Sequence, residues 1–272
     1  MRLALIQNHC SEQRAENLGR ALDAMERAKS AGADVVAFPE LAIDRFFPQH
    51  EASDARAVAE TIPGPTADAI AQKAKALSLV TVFNMYEDNG DGRYFDSSPV
   101  FEADGSLLGI TRMVHICDYT CFHEQAYYDP GDRGAPVYDT TVGKIGVAIC
   151  YDRHYPEYMR ALGVAGAELV VIPQAGAVDE WPAGLYEAEV QTAAFQNGYF
   201  AALCNRVGKE ERLTFAGESF VVDPSGNFLA RAKALEDDLA VVDLDLSRCA
   251  SSHARTLFWH DRRPDLYGDW LA

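Results

Sequence analysis

The order of apolar and polar residues divides the N-terminal part of the chain into short buried strands and amphipathic helices. The apolar runs at 2–8, 33–40 and 79–86 are short and nearly continuous, which is typical of strands covered on both faces. Between them, segments 11–31 and 65–78 repeat their apolar residues at helical spacing, and a proline begins the second of these segments. The predicted order is therefore strand, helix, strand, helix, strand.

A hairpin and a second alternating series follow. Two strand-like runs, 94–105 and 106–116, meet at Asp104-Gly105, a dipeptide that favours a tight turn between paired strands. The same patterns predict strands at 144–150, 167–173, 198–205 and 238–246, helices at about 155–166 and about 184–197, and a hairpin over 218–232. No clean internal repeat or linker interrupts the series.

Apolar strands and amphipathic helices alternate in two successive halves, which favours an α/β fold. Two sheets stacked face to face with helices outside would bury these strands on both sides. A doubly wound single sheet would produce nearly the same pattern, so periodicity alone leaves both arrangements open. The length of 272 residues fits one large domain over residues 1–250, followed by a C-terminal extension over residues 251–272.

Composition narrows the class of protein and of partner. Hydrophobic residues make up 48% of the chain and charged residues 24%, as in a globular protein with a large core. The net charge of −17 repels phosphate backbones and anionic membrane surfaces. The chain has no signal-peptide pattern and no apolar run of about 18 residues. We therefore expect a cytoplasmic protein that binds neither nucleic acid nor membrane.

The six cysteines are widely spaced, unlike the dense disulfide framework of a small secreted domain. They are interpreted as thiols, and Cys204 and Cys249 as small buried hydrophobic residues.

Two polar residues, Glu40 and Cys150, stand at the carboxyl ends of predicted strands, where open α/β sheets place their functional groups. A carboxylate beside a thiol can accept its proton and produce the thiolate, which is the stronger nucleophile. Taken singly, each residue is also compatible with a structural role. Together they indicate nucleophilic chemistry if the fold brings them into contact.

Several long motifs, in a fixed order over nearly the whole chain, resemble the nitrilase, or carbon-nitrogen hydrolase, superfamily. They are VVAFPEL around Glu40, IPGP at 62–65, EQAYYDPGD from Glu124, GKIGVAICYDRHYPE around Cys150, NRVGKE at 205–210, GESFVVDPSGN at 217–227 and DRRPDLYGD at 261–269. The resemblance implies a four-layer α-β-β-α sandwich. It also implies a homodimer or larger homo-oligomer, with the C-terminal extension in the interface.

By the same resemblance, Glu40 is the general base, Cys150 the nucleophile, and Glu124 a second carboxylate that orients the substrate. Cys150 would attack a carbonyl or nitrile carbon, ammonia or an amine would leave, and water activated by Glu40 would release the acid. The backbone N–H of Tyr151, directly after the nucleophile, is the expected first oxyanion donor. The chemistry requires no cofactor and no metal.

Met113 occupies the position of the superfamily's lysine, eleven residues before Glu124. A thioether supplies no positive charge to the thiolate or the oxyanion, and the loss of one such donor costs about 2.7–4 kcal/mol. Strand alternation predicts that the neighbouring Arg112 points away from the pocket, while His115 shares the face of Met113 and can donate a hydrogen bond there. A natural departure and a deliberate substitution both fit the sequence.

Arg153 lies three residues after Cys150 and resembles the arginine that N-carbamoyl-hydrolysing members place on the substrate carboxylate. Guanidinium suits this role because it grips a carboxylate with two N–H groups, although an ion pair with Asp152 or Glu157 is the structural alternative. We expect a small amide or N-carbamoyl substrate that bears a carboxylate. A catalytically silent relative that binds a small carboxylate or a protein partner is the main alternative, and a true nitrile hydrolase is another.

One stretch invites a metal-site interpretation. His115, Cys117, Cys121 and His123 are close together and are ligand types that zinc favours. Their spacing lacks a second, distant ligand pair, so we predict that these residues line the pocket or are incidental and that they hold no metal.

Overall fold

The computed structural model describes residues 1–51 and 54–270, so the last two residues of the predicted extension lie outside the described part. The strands are β1 (Arg2–Gln7), β2 (Val35–Ala37), β3 (Val80–Val82), β4 (Met85–Asp88), β5 (Tyr94–Phe101), β6 (Leu107–Arg112), β7 (Val137–Thr140), β8 (Gly143–Val147), β9 (Leu169–Gln174), β10 (Phe200–Asn205), β11 (Val207–Lys209), β12 (Thr214–Ala216), β13 (Phe220–Val222), β14 (Phe228–Arg231) and β15 (Asp238–Asp243). The α-helices are α1 (Arg14–Ser30), α2 (Pro65–Leu77), α3 (Pro156–Val164), α4 (Leu185–Asn197), α5 (Ser247–Ala250) and α6 (Pro264–Trp270).

The strands form two main sheets rather than one. The first has the order β15-β1-β2-β3-β5-β4, with β6 paired to β5, and the second has the order β14-β13-β10-β9-β8-β7. In each sheet three central strands run parallel, β1 to β3 in the first and β8 to β10 in the second. Antiparallel strands complete both sheets. Because the strands form two separate sheets, the single doubly wound sheet is excluded.

The sheets stack face to face, with helices covering their outer faces. Leu3 and Leu5 of β1 belong to one buried cluster with Val171 of β9, which lies between the sheets. Ala4, which points to the opposite side of β1, packs in a second cluster with residues of α1 and α2. Val170 packs in a third cluster with residues of α3 and α4. These layers confirm the predicted four-layer α-β-β-α sandwich.

The hairpin predicted at Asp104-Gly105 is present between β5 and β6. Gly105 has a φ of +84°, a conformation open to glycine but disfavoured for other residues, and its N–H donates to Glu102 O at 2.8 Å. The second strand is shorter than predicted, because β6 ends at Arg112 instead of reaching residue 116. Strand alternation therefore predicts the direction of side chains only as far as Arg112.

The prediction of one continuous strand at 79–86 is wrong, because this segment contains two strands. It is broken into β3 and β4 around Asn84, whose buried side chain accepts a hydrogen bond from Leu41 N at 2.6 Å and donates one to Asp96 Oδ1 at 2.6 Å. The small hairpin of β11 and β12 and the edge strand β7 were not predicted.

Within residues 1–51 and 54–270, no helix has the length and apolar character needed to cross a membrane.

Candidate active site

The fold brings Glu40, Glu124 and Cys150 together. Glu40 follows β2 of the first sheet, Cys150 follows β8 of the second, and Glu124 begins the 3-10 turn Glu124–Ala126. One carboxylate or thiol atom from each lies within 4.8 Å of the others. The two glutamates are 0% exposed and Cys150 is 5% exposed. The carboxyl ends of strands from both sheets therefore meet in one buried cluster.

The backbone of Cys150 adopts an unusual conformation that its neighbours hold. Its φ is +43°, in the left-handed region that costs free energy for a non-glycine residue. Arg153 Nη1 donates to Cys150 O at 3.0 Å and to Gln174 Oε1 at 3.0 Å, and Gln174 Nε2 lies 3.1 Å from Cys150 Sγ. Arg153 and Gln174 thus fix both the carbonyl and the thiol of this residue.

Arg206 fixes the backbone around Glu40 in a similar way. Its buried guanidinium donates to Glu40 O at 2.8 Å, to Leu41 O at 2.6 Å and to Asp44 O at 2.9 Å, and it pairs with Glu210 Oε1 at 2.6 Å. These contacts join the segment after β2 to the segment after β10. Glu40 is thus held through its backbone, and its carboxyl group contacts Cys150 and Asp96.

Asp96 of β5 is a third buried carboxyl residue of the site, and sequence reasoning missed it. It is 0% exposed, accepts the hydrogen bond from Asn84, and its backbone carbonyl accepts one from Met113 N at 2.9 Å. Burial, and then the negative charge of Glu40, raise the pKa of Asp96, and the side chains of the two residues are in hydrogen-bond contact. A charged residue within an apolar hairpin strand was the signal that could have identified it.

Burial and mutual repulsion disfavour negative charge throughout the cluster. Burial, and then the charge of Glu124, raise the pKa of Glu40 to about 8. Burial, and then the charge of Asp96, raise the pKa of Glu124 to about 8 as well. The pKa of Cys150 is raised by burial and by Glu40 and Glu124, and the charge of Arg153 opposes that shift. The protonated forms therefore dominate at neutral pH.

Met113 lies in the same buried cluster as Cys150, between the two sheets, and is 0% exposed. Its backbone bridges the site, since its N–H donates to Asp96 O and its carbonyl accepts from Gly131 N at 2.7 Å. An apolar side chain thus stands in the interior at the position where the sequence comparison placed the superfamily's lysine.

Arg112 and His115 both have partners of their own. Arg112 donates from Nε to Glu87 Oε2 at 2.8 Å and from Nη1 to Asp132 Oδ1 at 2.9 Å, so its charge is used away from the cluster, as predicted. His115 was expected to share the face of Met113, but strand alternation does not reach it because β6 ends at Arg112. Its Nδ1 lies 2.7 Å from Asp152 Oδ1 instead.

Arg153 pairs with a residue that sequence reasoning did not name. Its Nε lies 3.3 Å from Glu189 Oε2 rather than beside Asp152 or Glu157, and its guanidinium lies 4.3 Å from the centre of the Tyr186 ring. Its Nη2 is buried and has no hydrogen-bond partner among the described residues. One donor is therefore left over for a ligand.

Tyr151 follows Cys150 in the 3-10 turn Cys150–His154, and its half-buried ring lies 5.0 Å from the ring of His154 and 6.3 Å from that of Tyr119. These aromatic side chains form a wall beside the nucleophile.

Three of the four residues of the metal-site interpretation have separate partners, and one of them is His115, which contacts Asp152. Cys117 Sγ contacts Phe122 O at 3.8 Å, and His123 Nδ1 lies 3.3 Å from Asp118 Oδ1. Within the described part of the chain, the ligand atoms that converge at metal-binding distances belong to Glu40, Glu124 and Cys150, not to this stretch.

Known proteins match this chain over nearly its whole length. The family model described as carbon-nitrogen hydrolase matches residues 2–254. An N-carbamoylputrescine amidase of Solanum lycopersicum is 32% identical over 97% of this chain and 93% of its own, and a citrullinase of Francisella tularensis is 29% identical over 99% and 97%.

Solved structures agree with these sequence matches. A carbon-nitrogen hydrolase of Helicobacter pylori superposes with a TM-score of 0.94 at 29% identity, covering 100% of this chain and 98% of its own. A double mutant of the amidase from a Nesterenkonia species, in complex with acrylamide, gives a TM-score of 0.85 at 26% identity over 99% and 97%. The chain therefore belongs to the carbon-nitrogen hydrolase family and is a hydrolase with a buried cysteine nucleophile.

Proposed function

We propose that this protein hydrolyses a non-peptide C–N bond of a small amide or N-carbamoyl compound through a thioester on Cys150. The convergence of Glu40, Glu124 and Cys150 within 4.8 Å carries the proposal, because nucleophile and base must be within reach of the same reacting carbon. Their burial also keeps bulk water from the intermediate.

Each residue has a distinct role in this proposal. Ionised Glu40 accepts the Cys150 proton as the thiolate attacks the carbonyl carbon, and protonated Glu40 then returns that proton to the leaving nitrogen. Glu40 next deprotonates a water molecule that attacks the thioester, which releases the acid and regenerates the thiol. Glu124 orients the substrate nitrogen, and the N–H of Tyr151 donates to the oxyanion.

The contacts of Arg153 favour a substrate that bears a carboxylate. Its unpartnered Nη2 is the donor that such a group would take, while Nη1 continues to hold the carbonyl of Cys150. The names of two relatives, N-carbamoylputrescine amidase and citrullinase, indicate substrates with a carbamoyl group on nitrogen, which supports the same class here.

The six cysteines are free thiols, which fits a reducing cytoplasmic location.

A catalytically silent relative is the second candidate, and Met113 is the observation that favours it. A buried thioether supplies no charge to hold the thiolate, and burial together with the two glutamates raises the pKa of Cys150. A protein of this kind would bind a carboxylate-bearing ligand, or a protein partner, without turning over an amide.

Iodoacetamide labelling at neutral pH is expected to modify Cys150 before Cys10, Cys204 or Cys249. Cys10 is partly exposed and Cys150 is buried, so accessibility alone predicts that Cys10 reacts before Cys150. Peptide mapping over time gives the order, and Glu40→Gln should slow the labelling of Cys150 without changing that of Cys10, because only Cys150 loses its base. Faster labelling of Cys10 in the unmodified protein contradicts the nucleophile assignment.

We also propose that residues 251–272 form an extension that lies in a homo-oligomer interface. The family match ends at residue 254, Leu257 is 61% exposed, and α6 follows as a separate helix. Aromatic and apolar residues exposed beyond the last core strand are typical of interfaces.

Deleting residues 255–272 is expected to convert a dimer or larger oligomer towards monomer, as measured by light scattering. The deletion also removes the hydrogen bond from Arg255 Nη2 to Gly163 O, so Leu257→Asp serves as the milder variant that keeps that bond. An intact chain that is already monomeric rules the interface out.

A further inference from the structure

The site holds buried carboxyl groups without a matching cation. Glu40, Asp96 and Glu124 are each 0% exposed, and their carboxyl groups contact thiols, the Asn84 amide and each other: Glu40 contacts Cys150 and Asp96, and Glu124 contacts Cys117. Arg206, which holds the backbone of Glu40, directs its Nη atoms to backbone carbonyls and to Glu210. Arg206 pairs with Glu210 and Arg153 with Glu189, so among the described residues neither of these buried guanidiniums forms an ion pair with the three carboxyls.

An independent observation also points to a missing ligand. Tyr128 follows Glu124 by four residues, and its buried hydroxyl has no hydrogen-bond partner in the described part of the chain. Burial, and then the charges of Asp96, Glu124 and Glu40, raise the pKa of this hydroxyl, so it lies near the three carboxyls. Buried polar groups in native proteins are nearly always satisfied, which indicates that a bound molecule satisfies this hydroxyl.

We infer that the carbon attacked by Cys150 belongs to an amidinium or guanidinium group, the cationic counterpart of an amide or urea, held by hydrogen bonds to Glu40 and Glu124. The inference rests on the proposed nucleophilic role of Cys150 and goes beyond the proposed function by adding a cationic substrate class to the amide and N-carbamoyl compounds. A bound cation favours the ionised form of the carboxyls, and ionised carboxylates are acceptors that match a planar group rich in N–H donors. Arg153 Nη2 remains available for a carboxylate elsewhere on the same molecule.

Charge balance explains why this substrate needs no lysine. Attack on a neutral amide creates an oxyanion, which the buried carboxyls repel and Met113 cannot stabilise. Attack of a thiolate on an amidinium carbon instead cancels a positive charge against a negative one and creates no oxyanion. The substrate also supplies the cation that favours thiolate over thiol. The cationic group of the substrate thereby supplies the positive charge that a lysine ammonium would supply in the hydrolysis of an amide.

The reaction balances with water as the only co-reactant. Cys150 forms a C–S bond to the guanidinium carbon after giving its proton to Glu40, and the C–N bond breaks as Glu40 returns that proton to the departing ammonia. The product of this half-reaction is an S-linked isothiouronium. Water, deprotonated by Glu40, adds to the same carbon, the C–S bond breaks, and Glu40 returns the proton to the Cys150 sulfur. The hydroxyl of the adduct loses its proton to the released ammonia, which gives ammonium and a neutral ureido product. Overall, guanidinium and water give a urea and ammonium.

The test compares two isosteric acids, 3-guanidinopropanoate and 3-ureidopropanoate, by ammonia release. We expect kcat/KM for the guanidino compound to exceed that for the ureido compound by about tenfold or more. Met113→Lys places a cation among the carboxyls and should reverse the preference. Leu235→Lys adds the same charge at a residue that is 59% exposed and should leave the ratio unchanged. A ureido preference in the unmodified protein overturns the inference but leaves the proposed hydrolase intact.

A second measurement tests the inference if Met113→Lys does not fold or if neither compound is turned over. Alkylation of Cys150 by 2-chloroacetamidine is compared with alkylation by neutral 2-chloroacetamide, and each rate is divided by that with free cysteine. A corrected ratio above about ten, lowered by Asp96→Asn but not by Asp139→Asn on the surface, supports the cation site. Equal corrected rates overturn it. If neither reagent modifies Cys150, the proposed hydrolase function fails together with this inference.

Discussion

Replacing Cys150 by alanine is expected to reduce kcat/KM by about 10⁴-fold or more, measured as ammonia release from the best substrate of a panel of amides, N-carbamoyl acids and guanidino acids. Without the sulfur no covalent intermediate forms, and Glu40 can then activate only direct attack by water. Cys150 belongs to the buried cluster between the sheets, so a matching melting temperature must show that the variant is folded.

The control for this variant is Cys121→Ala. Cys121 is a partly exposed free thiol, and its loss should leave the rate unchanged. Retention of more than about a hundredth of the original activity by folded Cys150→Ala is incompatible with a thioester mechanism.

Introducing lysine at Met113 is expected to raise kcat/KM for neutral amides by about 10²–10³-fold, the effect of one oxyanion donor. The new ammonium would be buried near Asp96, Glu40 and Glu124, whose negative charges offset the cost of its desolvation. It would also lower the pKa of both glutamates from about 8, so that a larger fraction of Glu40 is ionised and able to act as base at neutral pH.

The outcome of Met113→Lys separates the remaining possibilities. An unchanged rate, together with brisk amide turnover by the unmodified protein, assigns the lysine's role to another group, and His115→Ala is then the variant to measure. Arg112→Ala is a poor substitute for that experiment, because it breaks a buried ion pair with Glu87 and destabilises the fold. If no panel compound releases ammonia with either folded protein, and both bind a carboxylate-bearing ligand, the silent relative is the better description.

The elements that depend on local pattern were predictable from the sequence. The parallel central strands are buried on both faces and therefore appear as continuous apolar runs, and the Asp104-Gly105 turn follows from the conformational freedom of glycine. Glu40 and Cys150 became candidates because they stand at the carboxyl ends of such strands, and the resemblance to the superfamily supplied their expected roles. The break at Asn84 was not predictable, since its partners Leu41 and Asp96 are distant in sequence.

The electrostatics of the site were beyond sequence reasoning for the same reason. Asp96 is a charged residue in a hairpin strand until the fold places it beside Glu40, where burial and repulsion raise its pKa. Arg153 has two acidic residues nearby in sequence, yet it pairs with Glu189 of α4 because the turn after Cys150 packs against that helix. Contacts between distant segments decide these protonation states and partners.

The position of β15 has a consequence for how the protein is made. This strand comes last in the chain's sheets but pairs with β1, so that Arg2 lies opposite Asp243 at the edge of the first sheet. On the ribosome, β1 therefore keeps one side unpaired until nearly all of the chain has been synthesised. An unpaired strand edge is a site of aggregation, and the newly made polypeptide must be protected there until its C-terminal segment emerges.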